Sequence, residues 1–148
     1  MHPDQHWEVR RQRFPKLKTD RAVSWEDVIL KTCQDHSTGH ITGVLDKKHL
    51  PTFVVTSDFR PGSLQQAFNY CDLGSRMDVY YSYGNKCLTY GRHRDDCDVW
   101  IVQAYGIMTY ESDIDTVTLE VGDCLYIPFG TWHNPISSGP RITLSFSK

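Results

Sequence analysis

Three side chains in this 148-residue sequence have the types and the spacing that binding a metal ion requires. His93 and Asp95 stand one residue apart in Gly91-Arg92-His93-Arg94-Asp95, and in an extended chain residues two apart face the same side. His133 closes the stretch that runs from Gly122 through Pro128 and Gly130, where Cys124 to Ile127 reads as a strand between two turn signals. Its imidazole therefore emerges just after a rigid turn on a packed sheet. If the two segments are neighbours, His93, Asp95 and His133 form the two-histidine, one-carboxylate set that grips one face of a metal and leaves the other face open. Such a set needs neutral imidazoles and an ionised carboxylate. Asp96 and Asp98 compete for the carboxylate role, but Asp96 points to the opposite side of an extended segment and Asp98 opens the next apolar run.

The elements that must hold these residues are short strands. Met77 to Ser82, Asp98 to Tyr105, Ile107 to Glu111, Thr116 to Leu119, Cys124 to Ile127 and Arg141 to Ser147 are rich in Val, Ile, Tyr and Thr. Turn residues separate them, and that spacing predicts a β-sandwich or small barrel. Upstream, Ser24 has the character of a helix cap, predicting a helix from about Trp25 to Gln34. Gly39 to Leu45 and Thr52 to Thr56 read as strands, and Leu64 to Tyr70 as a second short helix. Residues 1 to 21 carry six basic residues against three acidic ones and read as a partly mobile basic arm.

Composition bounds the function. The length suits one domain, 1–148, made of the arm at 1–21, a helix and strand elaboration at 22–76 and a core barrel at 77–148. A net charge of -2 argues against a surface that binds nucleic acid without specificity. No run approaches the roughly 18 apolar residues of a membrane span, and the polar N-terminus lacks a signal-peptide core. Five cysteines at irregular spacings predict reduced thiols and a cytoplasmic location. Cys33, His36 and His40 read as a solvated helix end, His2 and His6 as part of the arm, and Cys97 and Cys124 as small buried residues near the barrel.

Gly122, Pro128, Gly130 and His133 match the second cupin signature without a gap, and the chain resembles the cupin superfamily at these residues. His93-x-Asp95 replaces the His-x-His of the simple cupins. With Asp98-Val99, Gln103, Gly106, Tyr110, Leu125 to Pro128 and Leu144 to Phe146, it makes the stretch from Met77 to Lys148 similar to the JmjC-type cupins, among them the ribosomal oxygenases. The resemblance implies a mainly β double-stranded β-helix, or jelly roll, preceded by one or two short helices. It also implies an Fe(II)- and 2-oxoglutarate-dependent oxygenase, a hydroxylase, in which His93, Asp95 and His133 hold iron. Its substrate would be a protein, an RNA or a small molecule, with a ribosomal protein or RNA as the partner the family suggests, and cupins commonly pair as homodimers.

One family feature is missing. The Lys or Arg that usually anchors the distal carboxylate of 2-oxoglutarate falls here at Met108. A buried dianion needs a cation at its far end. Arg141 is the candidate, since Arg141, Thr143 and Ser145 share one face of the last strand while Ile142, Leu144 and Phe146 share the other. Tyr81, Tyr83 and Thr89 are further candidates to hydrogen-bond the same carboxylate, and Trp100, Tyr126 and Trp132 are candidate aromatic walls. Met108 also keeps open a metal cupin that uses no 2-oxoglutarate, such as another dioxygenase or an isomerase, and a noncatalytic ligand-binding cupin.

Overall fold

A computed structural model describes residues 7–44 and 46–148. The order of elements is β1 (Glu8–Arg10), a 3-10 turn (Pro15–Lys18), α1 (Trp25–Thr38), β2 (Ile41–Val44), β3 (Thr52–Val55), α2 (Ser63–Cys71), β4 (Arg76–Ser82), β5 (Val99–Tyr105), β6 (Met108–Ser112), β7 (Thr116–Leu119), β8 (Cys124–Ile127), β9 (His133–Ser137) and β10 (Arg141–Ser147). The strands form a seven-stranded sheet, β1-β8-β5-β10-β4-β3-β2, facing a three-stranded sheet, β7-β6-β9. Every pairing is antiparallel, as in a double-stranded β-helix.

The alternation of side chains builds two cores on opposite faces of the large sheet. Its outer face packs Val79 and Tyr81 of β4 and Ile142, Leu144 and Phe146 of β10 against Val28 of α1 and Leu64 and Ala67 of α2. Between the sheets lie Val99, Ile101, Met108, Tyr110, Leu119, Leu125 and Ile127. Each fully buried aliphatic side chain contributes about 1.5–3 kcal/mol, so the two layers lock the frame around the interior.

The helices follow their caps. Ser24 accepts from Asp27 N at 3.2 Å to start α1, and Gly39, at φ +76°, ends it. The helix runs four residues beyond the expected Gln34 because Lys31 and Asp35, both fully buried, pair at 3.1 Å one turn apart beneath Ser57. Asp27 in turn accepts from Ser63 N at 2.8 Å and fixes the start of α2.

Two expectations change. The mobile basic arm is contradicted over residues 7–21: β1 pairs with β8, Phe14 and Leu17 are buried, and Arg11 and Gln12 both bind the buried carboxylate of Asp123. Isolated apolar residues among arginines hid the packing, since no periodic run announces it. The earlier part of the arm, with His2 and His6, and the end of the expected strand at Leu45 lie outside the described residues. The strand His133–Ser137 was not expected at all, because Pro135 interrupts its β pattern.

Candidate metal centre

His93 lies in the segment between β4 and β5, which has little regular structure, and one backbone bridge secures it. His93 N donates to His133 O and His133 N to His93 O, both at 2.9 Å, a hydrogen-bonded antiparallel pair that sets the two imidazoles side by side. Their ring centroids are 4.4 Å apart. Gly130 N donates to Asp95 O at 3.0 Å and so attaches the carboxylate residue to the turn that delivers His133. The Asp95 carboxylate lies 3.7 Å from His93 Nε2 and 3.6 Å from His133 Nε2. One ligand atom from each of the three residues falls within 4.8 Å of the others, a span that fits around a single ion.

The imidazoles are already oriented. His93 Nδ1 is 2.8 Å from Gly91 O and His133 Nδ1 is 2.9 Å from Thr131 O. Each Nδ1 donates to a carbonyl, which leaves the Nε2 lone pair pointing at Asp95, the arrangement common to metal-ligating histidines. Burial lowers the His133 pKa by more than the Thr131 carbonyl raises it, so the ring is kept neutral and ready to ligate. Asp98 has a different task, accepting from Phe129 N at 2.7 Å to brace the turn before His133. The donor set, two imidazole nitrogens and a carboxylate on one side of an open cavity, fits iron(II).

The cavity beside the triad has a volume of about 250 Å³. Its lining includes the buried Arg141, Thr143, Thr52 and Tyr110 and, toward solvent, the more exposed Asp78, Asp96, Cys97 and Ser145. Arg141 is only 2% exposed, and its guanidinium donates to three hydroxyls: Ser82 at 3.2 Å, Thr143 at 2.9 Å and Thr52 at 3.4 Å. Among the described residues no carboxylate pairs with it. Burial pushes its pKa down, yet a guanidinium stays charged, so the cavity holds a desolvated cation without a counter-ion. Burial also pushes the Tyr110 phenol up to about 12, against the pull of Arg141, leaving a neutral hydroxyl in the same place.

The structure sorts the other candidates. Thr143 faces the cavity, and Thr89 lines it while its hydroxyl donates to Pro135 O at 2.7 Å. Tyr81 and Tyr83 do not reach it. Tyr81 is buried in the outer core with its hydroxyl 2.8 Å from Thr32, and Tyr83 is exposed and packs on Trp25. The physical reason is strand parity: Tyr80, cross-strand from Thr143, takes the inward position instead. The alternation of Arg76, Asp78, Tyr80 and Ser82 with Met77, Val79 and Tyr81 was the available signal.

The aromatic walls also differ from expectation. Trp100 and Tyr126 pack against each other on the outside of the large sheet, with ring centroids 5.1 Å apart. Trp132 lies on the outer side of the histidine bridge beneath Arg92 and Arg94, at 4.5 and 5.2 Å. Tyr80, Tyr90 and Tyr110 line the cavity in their place. Cys97 lines it toward solvent, whereas Cys124 is buried in the outer core. Met108 is fully buried among the apolar side chains between the sheets.

None of the curated proteins matches the sequence. Residues 107–148 match the model of the JmjC domain. Among solved structures, the chain is similar to YcfD, a ribosomal oxygenase from Escherichia coli, at 18% identity and a TM-score of 0.70, covering 99% of this chain and 48% of that one. The same protein in complex with cobalt and 2-oxoglutarate gives a TM-score of 0.72 at 17% identity, covering 99% and 48% of the two chains. A prolyl-4-hydroxylase from Pseudomonas putida gives 0.57 at 12% identity, covering 98% and 94%. The chain thus spans about half the length of YcfD. The likeness to the JmjC domain thus rests on residues 107–148, and the chain as a whole shares its fold with these oxygenases.

Proposed function

We propose that the protein is an Fe(II)- and 2-oxoglutarate-dependent oxygenase that hydroxylates its substrate. The observation that carries this reading is the pairing, across one cavity, of the His93, Asp95 and His133 set with the buried, unpaired guanidinium of Arg141. A metal-binding set alone would suit many reactions. A cation without a counter-ion at the far end calls for an anion that spans the space between, and a dicarboxylate with a chelating head does so.

When bound, iron and 2-oxoglutarate supply the oxidative chemistry, in which dioxygen and the co-substrate give succinate, carbon dioxide and one oxygen atom for a C–H bond. The protein's part is placement. His93 and His133 present Nε2, and Asp95 presents its carboxylate, on one side of the metal position. Arg141 takes the distal carboxylate, the role that Met108 cannot fill, with the neutral Tyr110 hydroxyl lining the same cavity. Tyr80, Tyr90 and Tyr110 exclude water from the reacting face. Asp78, Asp96, Cys97 and Ser145 meet the substrate on the solvent side. The name of the similar ribosomal oxygenase makes ribosomal proteins and RNA the first substrates to offer, with a cytoplasmic location to match.

The test is direct. Anaerobic addition of Fe(II) and then 2-oxoglutarate is expected to give the weak visible band of a chelated 2-oxo acid, and admission of oxygen is expected to release succinate. A protein that holds iron fully yet stays colourless and releases no succinate is a metal cupin of another kind.

A further inference from the structure

Among the described residues Arg141 has no acidic partner to fix its direction, so something else must aim it. We infer that Gln103 is a positioning residue that holds Arg141 toward the cavity through the hydroxyl of Thr143; this rests on the reading of Arg141 as the carboxylate anchor. Gln103 is fully buried on β5. It sits at an irregularity in the β5–β10 ladder, where Thr143 pairs with Gln103 but Ile142 pairs with Tyr105, so Ala104 has no partner. Such a bulge disrupts the ladder and leaves backbone groups to be satisfied otherwise. Gln103 meets this need with its own side chain, its Nε2 donating to Tyr105 O at 2.8 Å.

That bond has a consequence for the other side of the amide. With the NH2 group committed to a carbonyl, Oε1 is the acceptor facing Thr143, and the Thr143 hydroxyl donates to it at 2.8 Å. The single hydroxyl hydrogen is then spent. Thr143 offers only lone pairs toward Arg141, and Arg141 Nη1 donates to it at 2.9 Å. Every step of the relay has one allowed direction, from the guanidinium through Thr143 to Gln103 and from Gln103 to the backbone of the bulge. Thr143 is therefore an acceptor for Arg141 and not a donor to a bound carboxylate. The Gln103 end of the relay is anchored too, since Gln103 N donates to Asp123 O at 3.2 Å and Gly122 N donates to Gln103 O at 3.0 Å.

Full-length protein loaded with Co(II) is titrated with 2-oxoglutarate for the wild type and for Gln103→Leu, Gln103→Glu, Thr143→Val and Thr143→Ser. Gln103→Leu and Thr143→Val are expected to weaken 2-oxoglutarate by about tenfold or more while Co(II) affinity stays within about twofold, and Thr143→Ser to restore binding. Gln103→Glu is expected to weaken it at least as much, because a carboxylate there is repelled by the Tyr105 carbonyl and neutralises Arg141; a packing role would tolerate this near-isosteric change. In parallel, the Arg141 side-chain N–H protons are followed by hydrogen exchange in the metal-free proteins, with protection expected in the wild type and lost in Thr143→Val, which leaves the bulge intact if Gln103→Leu does not fold. Unchanged 2-oxoglutarate affinity and unchanged protection in the variants overturn the relay. A wild type that protects Arg141 but never binds 2-oxoglutarate overturns the functional reading and leaves the relay standing on the exchange result.

Discussion

The two ends of the cavity are built by different means. At the metal end, His93 and Asp95 hang on a segment with little regular structure, held by one backbone bridge to His133 and one bond from Gly130. At the arginine end, Arg141 and Thr143 stand on a seven-residue strand paired on both sides, to β4 and to β5. The difference teaches where each end keeps its precision. The ligand side chains are aimed one at a time, each imidazole by its own Nδ1 bond to a carbonyl, whereas the buried cation is fixed by a strand and three hydroxyls at once.

The largest test of this contrast removes a ligand. His133→Ala is expected to weaken Co(II) binding by at least about 100-fold in a spectroscopic titration, since losing a ligand costs more than losing an outer-shell partner. Retained affinity would show that the loop-built end does not depend on its set of three. At the other end, Arg141→Met is expected to weaken 2-oxoglutarate by about 100-fold and to stabilise the metal-free fold by about 1–3 kcal/mol in denaturant, because an uncompensated buried charge is replaced by an apolar chain. A destabilised variant would mean that the hydroxyl partners already compensate the charge.

The turn packed beside the start of β10 offers a third test. Gly106 has φ +69°, and a Cβ there would collide with the carbonyl oxygen of Pro140, the residue before Arg141. Gly106→Ala is expected to cost at least about 2 kcal/mol and to weaken 2-oxoglutarate more than Co(II), measured by denaturation and the two titrations.

The smallest effect is on pH. Burial holds the His133 pKa below its ordinary value of 6.5, so the unfolded chain takes up the proton first. The contribution to stability is complete above about pH 6.5 and declines as pH falls toward the lower folded pKa. Metal-free protein is expected to lose stability across that window, and His133→Gln to show a shallower slope. Equal slopes would place the acid sensitivity elsewhere.

Much of the site was legible because it depends on local rules. One-residue spacing joined His93 to Asp95, the Gly and Pro framing marked His133, and parity on β10 separated Arg141 and Thr143 from Ile142 and Leu144. Parity on β4 was equally available and would have selected Tyr80 over Tyr81. The aromatic walls were not legible, since Trp132 and Tyr110 are alike in apolar character and only the packing of two sheets decides which of them faces the interior.

By itself the sequence determined the strand-rich class, the three candidate ligands and the face on which Arg141 lies, because each follows from spacing along one segment. Tertiary structure alone decided that residues 7–21 pack as an edge strand and turn, that His93 and His133 meet through a backbone bridge, and that Arg141 is buried with no acid among the described residues beside it. Those facts depend on pairing between residues far apart in the chain. No local period encodes such pairing; it is settled by which arrangement buries the most apolar surface while leaving the fewest polar groups unsatisfied.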